Sequence, residues 1–515
     1  MTTISDHDQN RHFRTDHLQA DLGGRSARGG AVTISAQLFK FVVTTVAAIA
    51  LARLLTPDDY GLIAMVAILV NLVGMFQYLG LSTATVQWAE LTHQQVSTLF
   101  WINMALSAAI MLITIVSGPL LAWFYHEPRL IGIAAAYGAT ILFTGLGIQH
   151  EAILSRQMRF TAIVVVETAA LLIGFLAAIV AAWYGAGYWA LVLNQAVMTL
   201  VTVVGVWSIC KWRPGLPGRG LNLRPMLSYG GNLTGFNVMT FFSRNLDNLL
   251  IGKFWGAHQL GVYARAYQML LLPMQQINAP LAAVAVPALS RLADSPERYR
   301  SAYLRILEKI AMVTMPLGAL MIATSDWMVL LLLGPKWTET GKIFMLLGIA
   351  AIIQPVTKTS GWLFSTQGRT RELFHWGIIS GVISVVSILA GLPWGATGVA
   401  ASYAAADLFI STPLLFWHVG RRGPIRTSDF YRTILPSAVA SICTVSLLLV
   451  CRPWLSSITG LIPRLCVAFG MTVSVSLMIF SLLPAGRSAM QSFKETLRLL
   501  LRRKENFAVP AIRES

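Results

Sequence analysis

Charge is what this sequence has least of: Asp, Glu, Lys and Arg make up 12% of 515 residues, against 55% apolar types. That balance excludes an ordinary soluble domain, which carries about twice the charge. A GxxxxGK[ST] loop and an HExxH pair are both missing, so neither nucleotide hydrolysis nor zinc chemistry has a seat in the sequence. There are only four cysteines, Cys210, Cys443, Cys451 and Cys466, without paired metal-ligand spacing, which excludes a disulfide framework. The first 30 residues contain no apolar run of the signal-peptide kind and read as a solvated tail.

What is abundant is apolar segments of about 20 residues, each long enough to cross a bilayer as a helix. About 14 such spans recur, separated by short Gly-, Pro- or charge-rich breaks. The expected fold is therefore all-α and polytopic. A polar tail (1–30) precedes an N-lobe of six spans (31–210), and a basic linker (211–228) leads to a C-lobe of six (229–418). A loop (419–432), two extra spans (433–483) and a basic tail (484–515) complete the chain.

The formal charge of +17 does not point to nucleic acid once its distribution is considered. With the N-terminus in the cytoplasm, about 28 of the 39 Lys and Arg fall on the cytoplasmic side, as the positive-inside rule requires. Both termini are then cytoplasmic. The segment "RLADSPERYRSAYLRILEK", from Arg291, alternates charged and apolar residues at helical spacing and is expected to lie along the cytoplasmic interface.

An internal repeat organises the spans. At an offset of 200, "LLTPDDYGLIAMVAI" from Leu54 falls on "FWGAHQLGVYARAYQ" from Phe254, with Gly61 over Gly261. At an offset of 210, "SRQMRF" from Ser155 falls on "STQGRT" from Ser365, with Arg159 over Arg369. Six helices per half keep both copies in one orientation, so the expected architecture is two parallel six-helix repeats around a central cavity, plus two C-terminal helices.

Polar stripes indicate what that cavity holds. In the seventh span Asn237, Thr240, Arg244, Asp247 and Asn248 share one face, and in the first span Thr33, Gln37, Lys40 and Thr44 do the same. A charge facing lipid at mid-bilayer costs at least about 2.5 kcal/mol, so both stripes are expected to face the cavity. Lys40, Arg244 and Lys358, with Gln37 and Asn237, form a net cationic lining suited to an anionic head group such as a diphosphate. Asp247 reads either as an ion-pair partner of Arg244 or as a carboxylate that couples Na+ or H+, and Asp407 in the twelfth span is a second coupling candidate. Glu151 and Glu167 read as interhelical hydrogen-bond partners. No cofactor or metal is expected beyond such an ion.

The residues "LARLLTPDDYGLIAMV" and "SRNLDNLLIGKFWGAHQLGVYARAYQM" resemble the signature regions of Wzx-type polysaccharide repeat-unit flippases. These belong to the multidrug/oligosaccharidyl-lipid/polysaccharide superfamily, and the likeness is to the colanic-acid-exporter-like subgroup. The resemblance covers the span plan from about Gly30 to Leu483, with Asp247, Gly252, Gly261 and Tyr263 on the second motif. It implies flipping of an undecaprenyl-diphosphate-linked oligosaccharide across the bacterial inner membrane by alternating access, for exopolysaccharide, capsule or lipopolysaccharide synthesis. The implied partners are that lipid-linked oligosaccharide, membrane lipids, and a polysaccharide polymerase with its chain-length regulator. The alternatives are a cation-coupled exporter of drugs or of another lipid, and a multi-span polymerase or glycosyltransferase. The second would use a long external loop bearing acids, whereas Asp58 and Asp59 of "PDDY" read as residues of a short turn.

Overall fold

The computed structural model describes residues 22–78, 82, 85–86, 91–218, 224–484, 486–487 and 490–491, with the side chains of 22–35, 78, 224–240, 242–244 and 272–280 outside the described residues. Of the flanking tails, residues 1–21 and nearly all of 484–515 lie outside the described residues. Everything regular in the described chain is helix. Among the described residues eleven stretches are long and apolar enough to cross a membrane, so the protein is a multi-pass membrane protein. One of them, Thr370–Gly420, is two helices folded at the turn Leu392–Trp394. The long run Arg224–Ser290 is not among the eleven.

In chain order the helices are α1 (Leu22–Leu54), α2 (Pro57–Tyr78), α3 (His93–Tyr125), α4 (Leu130–Arg156), α5 (Phe160–Trp183) and α6 (Trp189–Cys210). The run Arg224–Ser290 breaks at Gly256, whose φ of 78° only glycine adopts readily, giving α7 (224–255) and α8 (257–290). There follow α9 (Pro296–Ala323), α10 (Ser325–Leu332), α11 (Thr338–Thr366), α12 (Thr370–Gly391), α13 (395–420), α14 (Thr427–Val450), α15 (Arg452–Ser457) and α16 (Leu461–Leu482). The chain divides into two compact units, Met1–Gly261 and Val262–Ser515.

The first unit is built as lipid requires, with small and polar groups inward and large apolar ones outward. On α3, Asn103, Ser107, Thr114 and Gly118 are buried, whereas Leu112, Val116, Leu120 and Trp123 are exposed, at the three- and four-residue spacing of one helix face. Small residues let the helices approach closely: a Cβ on Gly145 of α4 would lie 2.4 Å from the Ser107 Oγ of α3. Gln77 of α2 ties the group together, donating to Ser107 Oγ and to the Ile141 carbonyl, both at 2.9 Å. The connector after α6 is laid along α3, where Gly215 N donates to Ser97 Oγ at 3.0 Å and Gly218 N to Thr98 Oγ1 at 2.9 Å.

In the second unit the segment expected at the membrane interface is instead the packed start of α9. Tyr299 and Tyr303, one turn apart, stack on each other and are buried, and their hydroxyls meet Thr366 and Thr359 of α11, each at 2.7 Å. Its apolar stripe is thus covered by protein, in one core with Leu363, Phe364, Phe416 and Phe430. Arg300 clamps Asp429 of α14 through two bonds, of 2.6 and 2.9 Å. The last two long helices are integral to this unit: α14 and α16 meet α9 and α10 around Trp327, Leu448, Leu455 and Ala468. Arg452 bonds Asp326 at 2.5 Å, and Arg452 and Arg464 both lie over the Trp327 ring.

The repeat is visible in backbone geometry at the aligned "SRQMRF" and "STQGRT" segments. Met158 and Gly368 are both left-handed, at φ 54° and 67°. Arg159 N closes on the Leu154 carbonyl and Arg369 N on that of Phe364. The Arg159 side chain reaches the Ile209 carbonyl at 3.3 Å, and that of Arg369 the Val419 carbonyl at 3.4 Å. Each of these residues stands at the same offset from its counterpart, so one turn design is used twice, a guanidinium satisfying a carbonyl of a following helix's last turn.

Candidate functional site

Of the expected cavity cations, Lys40 has a defined partner. Its Nζ donates to Glu167 Oε2, an ion pair that joins α1 to α5. The lysine side chain is 16% exposed and the glutamate 43%, so the pair is reachable from outside the packed helices. Glu151 of α4 is exposed, and its charge acts on both Lys40 and Glu167. Gln37, one turn before Lys40, is exposed. The first span's polar stripe therefore leads to a lysine paired with Glu167, with Glu151 within electrostatic reach.

Equal depth in the bilayer explains the pairing. At 1.5 Å per residue, Lys40 lies about 21 Å along α1 from Leu54 and Glu167 about 24 Å along α5 from Trp183. Both residues are noticed in the sequence, but only their common depth, together with the packing of α1 on α5, makes them partners.

The second unit has its own polar set. Lys358 of α11 is exposed and lies within electrostatic reach of Asp407 of α13. Gln354, one turn before Lys358, reaches the Tyr403 hydroxyl at 3.5 Å and also bonds Asp407. Asp407 begins a π-helical turn, Asp407–Ser411, a wide turn that loosens the backbone ladder and is often found at functional sites. Lys358 and Asp407 thus act on each other electrostatically.

The side chains of Asn237 and Arg244 lie outside the described residues, so the Arg244–Asp247 pair expected from sequence falls there too. Asp247 itself is half-buried, and its Oδ1 accepts from Asn248 N at 2.8 Å. Asn245 donates to the Phe241 carbonyl at 3.0 Å.

The two signature regions meet within the first unit. A Cβ on Gly61 of α2 would sit 1.8 Å from the Ala257 carbonyl oxygen, and one on Gly261 of α8 would sit 1.9 Å from that of Pro57. The contact is reciprocal: residues that are equivalent under the repeat exchange roles across it. Beside it His258 Nδ1 lies 3.0 Å from Asp58 Oδ2. Asp59, by contrast, is the turn residue expected, accepting from Thr56 N at 2.9 Å and from Thr56 Oγ1 at 2.7 Å. Nearby in the α3–α4 turn, a hydrogen bond from Arg129 holds the Glu127 carboxyl below the usual carboxylate range, with the guanidinium charge adding to the effect.

Sequence reasoning passed over the Gly61–Gly261 crossing and the Asp58–His258 contact. Their signal was the alignment itself, because residues that superpose in a repeat can meet across a pseudo-two-fold. Among the described residues no group of three His, Cys, Asp or Glu side chains gathers as a metal site.

A family model described as "Polysaccharide biosynthesis protein" matches residues 50–342. The chain is 24% identical over 394 residues to the lipopolysaccharide biosynthesis protein WzxC of Escherichia coli, covering 75% of this chain and 78% of that one. It is 22% identical over 358 residues to the succinoglycan biosynthesis transport protein ExoT of Rhizobium meliloti, covering 68% and 70%. Among solved structures the fold matches a lipid II flippase, MurJ, in an inward closed conformation, with a TM-score of 0.67 at 14% identity over 88% of this chain and 98% of that one. It also matches an inward-facing multidrug resistance transporter of the MATE family and MOP superfamily, with a TM-score of 0.58 at 13% identity over 76% and 96%.

Proposed function

The chain belongs to the polysaccharide biosynthesis protein family, and from that premise we propose that it is a transporter that flips an undecaprenyl-diphosphate-linked oligosaccharide across the bacterial inner membrane. The observation that carries the reading is the pairing of this family with the fold of a lipid-linked saccharide flippase. Both termini lie in the cytoplasm, and the six-helix lobes, 31–210 and 229–418, alternate access to a central cavity. Lys40, Arg244 and Lys358 receive the diphosphate, with Gln37 and Asn237 beside them. The sugars follow the polar faces, and the prenyl tail stays in lipid. No covalent bond is made or broken. Asp407, held beside Gln354 and Lys358, is the candidate for Na+ or H+ coupling in the C-lobe, with Asp247 the second. A polymerase and a chain-length regulator are the partners that would receive the product.

The MATE-type likeness favours one other reading, a cation-coupled drug exporter. The proposed cationic lining suits an anion and repels the organic cations such exporters carry. Flipping of a fluorescent undecaprenyl-diphosphate oligosaccharide in proteoliposomes tests the choice. The expected result is transport by the wild type and loss of it in Lys40→Ala and Lys358→Ala proteins that still insert and fold. A folded wild type that moves a cationic dye but not this lipid would overturn the proposal.

A further inference from the structure

The repeated turn that joins α4 to α5 differs from its counterpart in one charge. At the offset of 210 that places Arg159 on Arg369, Ala162 falls on Glu372. In the second unit Glu372 grips the arginine with both carboxylate oxygens, Arg369 Nε donating to Oε1 at 3.0 Å and Nη2 to Oε2 at 2.7 Å. Arg369 Nη1 donates to Gln367 Oε1 at 3.3 Å, and the guanidinium lies over the Phe364 ring, so the side chain is only 12% exposed. Arg159 has the same backbone turn and spends one of its five donors on the Ile209 carbonyl, but a methyl group stands where its counterpart has a carboxylate. Among the described residues no acid pairs with Arg159, which is exposed.

Ala162 opens instead onto a groove. An open hollow of about 550 Å³ is lined by Arg159, Thr161, Ala162, Val165 and Ile209. Its chemistry changes along α5, from a guanidinium and a hydroxyl at the helix start to apolar groups further in. Thr161, Val165, Leu172 and Leu176 succeed one another at spacings of four, seven and four residues, so they share one face of α5, and all four are exposed. Arg159 stands at the very end of the span Phe160–Trp183, the depth at which hydrocarbon gives way to head groups. No side chain caps this helix start, and the positive end of the helix dipole adds to the guanidinium charge. Arg213 is a further cation here, since its charge and that of Arg159 both act on Cys210 at the end of α6.

We propose that this groove binds the phosphate of an anionic phospholipid, which gives Arg159 the anion that Glu372 gives Arg369, while an acyl chain lies along Val165, Leu172 and Leu176. Phosphate oxygens take the edge of a guanidinium as a carboxylate does, through two parallel bonds. The exposed apolar face that continues from the groove suits a lipid and offers nothing to a soluble anion. The site is also apart from the proposed cargo path: Glu167, the partner of Lys40, stands about 200° around α5 from Val165. The phospholipid is therefore a ligand that fastens the α4–α5 turn to the end of α6, and the inference does not depend on the identity of the cargo.

The test is native mass spectrometry of the purified full-length protein in detergent, titrated with phosphatidylglycerol and, separately, with zwitterionic phosphatidylcholine. The apparent affinity for the first lipid bound is read in each case. The wild type is expected to bind phosphatidylglycerol about tenfold more tightly, as a charge-assisted contact to one guanidinium provides. Ala162→Glu gives the first unit the acid that the second already has, and should erase the preference. Thr161→Asp puts a negative charge at the same place and should do the same. Both add an acid to the first turn of α5, which the helix dipole favours, so the variants should fold, and unfolding temperatures check this. Arg371→Ala changes the net charge by the same amount at the equivalent turn of the second unit, and should leave the preference intact. A wild type without the preference overturns the inference, as does a folded Ala162→Glu protein that keeps it in full. Equal loss in Arg371→Ala overturns it too, by reducing the effect to net charge. Displacement of the bound phospholipid by equimolar undecaprenyl phosphate would assign the groove to the prenyl lipid, and displacement by equimolar glycerol phosphate to a soluble anion; either result overturns it. Should Ala162→Glu fail to fold, Thr161→Asp decides.

Discussion

Gly61→Ala is the sharpest perturbation the fold offers, because one methyl group meets backbone rather than a side chain that can turn aside. The added Cβ would lie 1.8 Å from the Ala257 carbonyl oxygen and 2.5 Å from its carbon. A normal non-bonded contact needs roughly 3.3 Å, so α2 and α8 must separate by about 1.5 Å at this point. Overpacking of that kind costs about 1–3 kcal/mol. Gly261→Ala meets the Pro57 carbonyl oxygen at 1.9 Å and should cost the same. The two substitutions strain one crossing, so once either has opened it the second costs little, and the double variant should be clearly less destabilised than the sum of the singles. Thermal unfolding of the four proteins in one detergent measures this cycle. Additive losses, or a Gly61→Ala protein as stable as the wild type, would refute the close reciprocal crossing. If alternating access requires these helices to part and close again, the singles should also flip lipid more slowly at temperatures where they remain folded.

Asp429→Asn should lower stability by about 1–2 kcal/mol, since it weakens both charge-assisted bonds from the half-exposed Arg300 to this buried carboxylate; an unchanged unfolding temperature in detergent would contradict it. Tyr303→Phe removes the bond to Thr359 Oγ1, which keeps its own donation to the Val356 carbonyl, so a loss of about 1 kcal/mol in the same assay is expected. Glu127→Gln should cost under about 1 kcal/mol, because the Arg129 pair is partly exposed. The sign with pH follows from Glu127's depressed pKa. Its stabilisation is complete above the ordinary Glu range and is lost as pH falls through the lower folded value, so wild type and variant should converge in unfolding temperature only at acid pH. Lys358→Met should weaken binding of a lipid-linked diphosphate in a titration of the folded protein, and an unchanged affinity would remove Lys358 from the proposed lining.

How much of this was legible in the sequence depended on whether the signal was periodic or paired. Long apolar runs pointed to the helices of α1 to α6, because in lipid the backbone must satisfy itself, although α1 begins at Leu22, inside the expected polar tail. The division at Gly256 was less visible, since nothing in "KFWGAHQ" announces a positive φ beyond the glycine. The start of α9 was read as interfacial because an amphipathic stripe looks the same whether lipid or protein covers it. Only the tyrosine hydroxyls meeting Thr359 and Thr366 show which it is. At the site, the polar stripe of α1 pointed to Lys40, but not to the acid it would find on α5. Helical phase gives the direction a side chain takes from its own axis and says nothing of the neighbour standing there.

The repeat divides along the same line. Where helices must turn, the two copies agree: Met158 and Gly368, Arg159 and Arg369, and the carbonyls of Ile209 and Val419 occupy matched roles. Where helices present polar faces, they differ. The first unit pairs Lys40 with Glu167 between α1 and α5, whereas the second groups Gln354, Lys358 and Asp407 between α11 and α13 beside a π-turn. A scaffold requirement is the same in both halves, because each must close its helix ends in the same solvent. A transport cycle makes no such demand, and it gains from asymmetry: one half holds its lysine in an ion pair while the other keeps its lysine within electrostatic reach of Asp407. Two different charge sets on one repeated frame would let cargo binding and ion coupling be tuned separately, so Lys40 and Lys358 substitutions should differ in their effects on substrate affinity and on maximal rate in the same flipping assay.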